Sequence, residues 1–258
     1  MEDVLSTVSS AVRLLPMGDS AWTVEFGDRI DPQLHAQVLG FLDALEVARK
    51  DNAGLFSGIV DVVPTFRSLT VHYDPLKSEA EKLGEALVTI AKSAGSVDKV
   101  GRHWRLPVCF EEGFSLDLDD LAKAKNMRVD EVITLLTQAT FKVYMVGFMP
   151  GFPYMGGLPP VLEMPRLANP RKALPARSFG IAGSMCAVYP WESPGGWRIL
   201  GRTPLSMFSV EEKESPSLLN SGDRVRLQAI DAKTFAEMEA DLAAGKLTRQ
   251  HFIESQGA

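Results

Sequence analysis

The sequence predicts an α+β protein in two parts, a small sandwich of strands and helices followed by a larger β-barrel. Three observations carry this reading. Strand-like runs are followed by helix-like runs over about the first 90 residues, the pattern of helices on one face of a mainly antiparallel sheet. Beyond them, short apolar runs recur with Gly and Pro turn signals roughly every ten residues, the pattern of a barrel. Between the two, residues 95–102 read Gly-Ser-Val-Asp-Lys-Val-Gly-Arg, a linker composition, so domains are expected at 1–97 and 98–258.

In the first part, Val12–Leu15 and Trp22–Phe26 read as strands, with Gly18-Asp19 as the turn signal between them. Asp31 suits a helix N-cap, Pro32 the first helical position, and Leu34, Val38, Leu42 and Leu45 one apolar face. His35 is expected on the surface of that helix and His72 at a strand end. Ile59–Val63 and Leu69–Tyr73 are two further strands, separated after Pro64, and a helix carrying Leu83, Leu87, Ile90 and Ala94 stops at Gly95. In the second part, a strand is expected at Trp104–Phe110 and helices at about 117–125 and 129–138. Further strands are expected at 141–148, Phe179–Ala182, Ala187–Tyr189, Arg198–Leu200, Leu205–Val210 and Arg224–Ile230. Phe235, Met238, Leu242 and Leu247 mark a terminal helix on the outside of the barrel.

Composition narrows the function classes. At 258 residues, 45% hydrophobic and 23% charged, this is an ordinary globular chain of one large or two small domains. A net charge of −6 supplies no general field for nucleic acid or for an anionic membrane, so neither partner is expected. Cys109 and Cys186 lie far apart and need not pair, which fits a reducing compartment. The start, Met-Glu-Asp-Val-Leu, lacks the features of a secretory signal, and no apolar run approaches the roughly 20 residues of a membrane helix. A cytoplasmic protein is expected.

Two segments stand out. Gly147–Leu158, Gly-Phe-Met-Pro-Gly-Phe-Pro-Tyr-Met-Gly-Gly-Leu, follows a buried-strand pattern and holds four glycines and two prolines, which oppose helix and further ladder alike. Its Phe148, Phe152 and Tyr154 are too apolar for a solvated loop. Tyr189–Pro204 has the same character, with Tyr189, Trp191 and Trp197 among Gly and Pro. Two such loops are expected to form facing walls of one cleft, apolar with a few polar groups. Phe148, Pro150, Gly151, Phe152, Tyr154, Tyr189 and Trp191 line it in this reading, with Met185 at its floor. A basic cluster, Arg166, Arg171, Lys172 and Arg177, lies between the loops in sequence; Arg171, and less directly Arg177, has the forked cation that could hold a substrate carboxylate. A solvated basic loop is the competing reading.

Other chemistry is not written in the chain. Gly245-Lys246 lacks the upstream glycine and following hydroxyl of a P-loop, the Gly-rich loops do not open helices as dinucleotide fingerprints do, and no nucleophile elbow is present. His35, His72, His103 and His251 are scattered without metal-ligand spacing. No catalytic base, nucleophile or metal ligand can be named, and isolated histidines are read as structural.

Gly147–Leu158 and Ser193–Pro204 closely resemble the signatures of the allophanate hydrolase subunit 1 family. The likeness continues in Gly18-Asp19, Val24–Gly27, Val63–Leu69, Tyr73–Pro75, Pro175, Ile181–Gly183 and Gly222–Val225. That family includes the B-type subunit of bacterial ATP-dependent 5-oxoprolinase, a sporulation-kinase inhibitor, and part of the carboxyltransferase region of urea carboxylase. The resemblance implies a ferredoxin-like N-terminal domain and a cyclophilin-like β-barrel domain. It implies one component of a cyclic-amide hydrolase, inactive alone, that works with a subunit 2 (C-type) partner of related barrel fold and a third lactam-hydrolase subunit. ATP would then be used by the complex. The alternatives are half of a biotin-dependent carboxyltransferase acting on urea or a related amide, and a non-catalytic inhibitor of a histidine kinase. Against the family pattern, Leu136 replaces His, Gly183-Ser184-Met185-Cys186 replaces Gly-Gly-Gln-Thr, and Arg177 replaces Gly. These exchanges are expected to remove hydrogen-bonding groups from the cleft.

Overall fold

Four antiparallel strands form the sheet of the first unit, in the order β1-β2-β4-β3: β1 (Arg13–Pro16), β2 (Ala21–Glu25), β3 (Ile59–Pro64) and β4 (Ser68–Tyr73). The structure is a computed structural model that describes residues 12–97 and 101–254. The chain divides into two compact units, Met1–Lys99 and Val100–Ala258. Residues 98–100, in the middle of the expected linker 95–102 and beside the expected boundary at 97/98, lie outside the described residues.

In the first unit α1 (Pro32–Asp51) connects β2 to β3, which run parallel to each other with antiparallel β4 between them. This is the core of a ferredoxin-like sheet, with its outer strand supplied by β1 from the start of the chain rather than the end. The short α2 (Ala53–Phe56) follows α1, and α3 (Ala80–Ser93) packs beside α1. Asp31 caps α1 as expected, its carboxylate accepting from the Gln33 and Leu34 amides, with Pro32 at the first position. The helix buries a wider stripe than one row of leucines, because it faces both the sheet and α3. Val38, Leu39, Phe41 and Leu45 are fully enclosed, and so is His35, which corrects its expected surface position. The buried Glu25 carboxylate receives guanidinium groups from Arg13 and Arg67, and Arg67 also donates to the Gly27 carbonyl. Two segments of the motif set, Val24–Gly27 and Val63–Leu69, thus meet Arg13 of β1 at one charge.

In the second unit seven strands close on themselves. They are β5 (His103–Cys109), β6 (Phe141–Val146), β7 (Pro153–Gly156), β9 (Ser178–Ala182), β10 (Met185–Val188), β12 (Arg198–Arg202) and β13 (Arg224–Ile230). The order runs β12-β9-β10-β7-β6-β13-β5, and β5 pairs back to β12 through Cys109 and Arg202. All contacts are antiparallel except β13 with β5. A last strand, β14 (Ile253–Glu254), covers the free first part of β5. Outside the ring, β8 (Arg171–Leu174) and β11 (Ser193–Gly195) form a two-stranded arm. Helices α4 (Leu118–Lys125), α5 (Val129–Gln138) and α6 (Ala232–Ala243) pack around the barrel, α5 against β13 and α6 beside β5.

The inside is filled by side chains from opposite walls: the Phe141 and Phe179 rings meet at 6.0 Å across it. Buried Asp223 fixes the start of β13 by accepting from the Arg102 and Asn220 amides and the Trp104 indole. Burial pushes the Asp223 carboxyl up, and these donors oppose the shift.

Two expectations fail. Leu205–Val210 is not a strand; Phe208 makes a single bridge to Ser217 in an irregular loop, where Pro204 and Pro216 interrupt any longer ladder. Conversely, Gly147–Leu158 is not wholly loop, since Pro153–Gly156 is β7, paired on both edges. Pro153 is tolerated as the first residue of that strand. Gly156 leaves the space that the Tyr144 ring occupies.

Gly40 of α1 meets the Gly95 carbonyl so closely that no Cβ fits, whereas a Cβ on Gly54 would find nothing nearer than 3.7 Å. Although alanine favours helix by about 1 kcal/mol over glycine, Gly40→Ala is expected to lose roughly 1–3 kcal/mol through overpacking. Gly54→Ala should be neutral or slightly stabilising. Denaturant unfolding followed by circular dichroism distinguishes the two; equal effects would contradict the packing argument.

Candidate functional site

Strand alternation sorts the two aromatic loops onto one side of the barrel wall. Met155 and Cys186 are register partners and both belong to the barrel core. Their neighbours Tyr154 and Ala187, also partners, therefore point to the outer face. Met185, Tyr189 and Phe152 share that parity. There the rings gather: Phe152 lies 4.9 Å from Tyr154, 5.1 Å from Tyr189 and 5.9 Å from Trp197, centroid to centroid. Tyr154 and Trp197 close the group at 6.0 Å. The loops do meet, through Phe152 and Tyr189, yet as a packed cluster rather than as open walls, because Phe152, Tyr189 and Trp197 are buried. Met185 is nearly buried on the same face.

The tip of the β6–β7 connection is strained. Phe148 adopts φ +70°, unusual for a bulky residue, and leaves its ring 71% exposed while meeting Phe152 at 5.5 Å. Pro150 precedes Gly151, which takes φ +78° and lies so near the 205–210 loop that a Cβ would stand 2.6 Å from the Met207 carbonyl oxygen. Only glycine satisfies both demands.

The electrostatics of the face come from Arg166. Its guanidinium lies 5.8 Å from the centre of the Trp197 ring. Burial raises the phenol pKa of Tyr154 and of Tyr189, and the Arg166 charge opposes both shifts. At neutral pH both hydroxyls stay protonated and can donate.

Arg171 and Trp191 lie elsewhere. Arg171 donates from both terminal nitrogens to Asp117, at 2.9 and 2.8 Å. Asp117 is 2% exposed and also accepts from the Ile199 amide at 2.7 Å, while its own amide bonds the Ile199 carbonyl. This clamp joins the start of α4 to β12 and to the β8–β11 arm, and it raises the Arg171 pKa. Arg177 sits at φ +65°, which explains why the resembling sequences place glycine there. Its guanidinium bonds the Pro204 carbonyl and Glu239. Trp191 packs on Phe208 at 5.8 Å and borders a separate cleft of about 540 Å³. Leu136 lies in the barrel unit's core cluster, which does not include Phe152, Tyr189 or Met185, and Cys186 lies in that core too. The expectation that these exchanges empty the aromatic site is therefore corrected for Leu136 and Cys186. Trp197 and Arg166 were visible in sequence as a ring and a basic residue but had no signal joining them. Asp117 carried no expectation beyond lying where the helix at about 117–125 begins. Among the described residues no His, Cys, Asp and Glu side chains gather so as to hold a metal ion, and no helix is long and apolar enough to cross a membrane.

With this fold and face in view, known proteins identify the class. The carboxyltransferase domain, subdomain C and D, matches residues 12–219, and the chain belongs to that family. Within it, the B-type subunit of 5-oxoprolinase from Bacillus subtilis is 36% identical over 85% of this chain and 93% of that protein. The crystal structure of TTHA0988 is 29% identical with a TM-score of 0.70 over 82% of this chain, which spans 40% of that longer one. The urea amidolyase of K. lactis shares the fold, at TM-score 0.77 and 21% identity over 95% of this chain and 16% of its own length.

Two outcomes follow from the site's geometry. Arg171→Ala leaves the enclosed Asp117 carboxylate without its cation and is expected to destabilise the fold by about 2 kcal/mol, less than a fully buried pair because Arg171 is partly exposed. Arg171→Lys should recover only part of this, since an ammonium cannot replace the fork. A double-mutant cycle with Asp117→Asn measures the coupling; additivity of the two changes would refute the clamp. The tyrosines give a pH effect. Their folded pKa values lie above the unfolded value near 10, so their contribution is complete below that pH and is lost as pH rises through the raised values. Stability should fall on the alkaline side, less steeply in Tyr189→Phe, as read from thermal melting across the alkaline range.

Proposed function

We propose that this chain is the B-type component of an ATP-dependent, 5-oxoprolinase-type hydrolase that opens a cyclic amide. The carrying observation is 36% identity to the B-type subunit of a 5-oxoprolinase over nearly its full length. The outer aromatic face supports the reading: Phe148, Pro150, Gly151, Phe152, Tyr154, Met185 and Tyr189 shape a surface for a small ring. Tyr154, half-buried and protonated at neutral pH as phenols are, donates to the lactam carbonyl, while the enclosed Tyr189 packs behind it. Arg166, exposed and stacked on Trp197, takes the substrate carboxylate. Arg171 is a positioning residue in this scheme, because its fork is engaged by Asp117. Trp191, which packs on Phe208 beside the separate cleft, has no role in this scheme.

Activation of an amide by ATP requires phosphate and metal ligands. We assign these to partners, a C-type subunit of related barrel fold and a third lactam-hydrolase subunit, with ATP consumed by the complex. The fold shared with a urea amidolyase leaves a biotin-dependent carboxyl transfer as the competing chemistry.

The test is reconstitution. The chain alone should show no ATP turnover, and it should elute as one heteromeric species with the C-type subunit. The complete complex should convert 5-oxoproline to glutamate only with ATP. Arg166→Ala is expected to raise KM for 5-oxoproline by roughly tenfold or more, the loss of a charged hydrogen bond, with a smaller effect on kcat. A complex that carboxylates urea with biotin and ignores 5-oxoproline would overturn the proposal.

A further inference from the structure

The cleft beside Trp191 has no part in the aromatic face. Its volume is about 540 Å³, within the range of small-molecule sites. Pro190 and Trp191 form one wall, Leu205 and Leu218 another, and Leu242 and Leu247 the side contributed by the last part of the chain. Two guanidinium groups border this apolar space, Arg177 and Arg249, each paired with one acid, Glu239 and Glu212.

Both cations are held in place. Arg177 bonds the Pro204 carbonyl at 2.9 Å and Glu239 at 2.6 Å, and Arg249 bonds the Ser215 carbonyl at 2.7 Å and Glu212 at 3.0 Å. In each ion pair the acid is the more exposed member, 39% for Glu239 against 23% for Arg177, and 44% for Glu212 against 15% for Arg249. An incoming anion can therefore displace an acid into solvent while the guanidinium stays fixed. The two pairs also clasp α6 and the turn at Arg249–Phe252 to the barrel loops, so a ligand would rest across that junction. The family match ends at residue 219, whereas Leu242, Gly245, Leu247, Thr248 and Arg249 lie beyond it. Arg177 itself stands where the resembling sequences keep glycine. The matched family region thus supplies most of the lining, and the last part of the chain completes it.

We propose that this cleft binds a small monoanionic carboxylate with an apolar body, an acyl or aryl acid, at a site separate from the lactam-binding face. The carboxylate pairs with Arg249 and Arg177, and the apolar body lies among the leucines and the Trp191 indole. The proposal does not depend on the lactam reading, since binding alone tests it.

The probe is 4-phenylbutanoate, compared with its neutral amide, titrated calorimetrically into the purified full-length chain. We expect saturable binding at one site, with the amide weaker by roughly tenfold or more, as a lost charge-assisted bond requires. Arg249→Gln should weaken the acid by a similar factor. Leu247→Trp, which fills the cleft, should abolish binding, while Arg166→Ala on the aromatic face should leave it unchanged. No saturation up to about 10 mM, the weak end of useful affinity, would overturn the proposal. Equal affinity for acid and amide would overturn it as well, and this comparison needs no variant. Loss of binding in Arg166→Ala would move the ligand to the other site and refute the assignment.

Discussion

The pairing of Arg202 with Cys109 is the contact on which the second unit depends, because it turns an open sheet into a closed one. It requires Gly201: a Cβ there would stand 2.6 Å from Val108 Cγ1 and 2.7 Å from the Cys109 carbonyl oxygen. Closure removes the sheet's exposed edges, and β14 covers the first part of β5 where β12 does not reach. It also settles where chemistry can occur. A seven-stranded ring is narrow enough for the Phe141 and Phe179 rings to meet inside it, where side chains pack as a core. Both candidate sites lie outside this packed interior, one on the outer face and one among the loops.

A second constraint shapes that outer face. Asp117 is bound by Arg171 of β8 and by the Ile199 amide of β12, so one enclosed carboxylate fixes the arm to the ring. The arm then presses Gly195 of β11 against Tyr189, where a Cβ would collide with the phenol oxygen. The Tyr189 ring is pinned between the arm and Phe152. Its hydroxyl is desolvated by this packing, and that desolvation raises its pKa. The raised pKa of one phenol thus traces back to packing that an ion pair holds in place.

Much of the fold was legible because local signals agreed with tertiary demands. Asp31-Pro32 starts α1, and Arg224–Ile230 and 129–138 have the strand and helix bounds that their periodicity marks. Elements were misread where packing overrode local preference. Glycine and proline in Pro153–Gly156 speak against a strand, yet ladder bonds on both edges and the Tyr144 ring over Gly156 hold one there. Leu205–Val210 has strand composition but lies in the loop that receives Gly151. His35 looked peripheral because one row of leucines gives no hint that α1 is covered from two directions. At the site, the rings were legible by composition and their meeting by loop character. The roles of arginines were not, since Arg166, Arg171 and Arg177 differ only in which distant residue each one reaches.

The departures from the resembling family pattern acquire a different meaning once placed. Leu136 and Cys186 both lie in the barrel core, and the Cys186 thiol approaches the Met155 carbonyl at 3.7 Å. Replacing His and Thr by Leu and Cys at such positions removes polar groups that would each need a buried partner. Such exchanges make the interior more apolar and leave Tyr154, Tyr189, Trp197 and Arg166 untouched on the outer face. Met185 alone alters that face, exchanging an amide for a flexible thioether beside the aromatic rings. The polar complement of the face is then concentrated in two phenols and one guanidinium. In the proposed function, Tyr154 of that set meets a ligand carbonyl and Arg166 a ligand carboxylate.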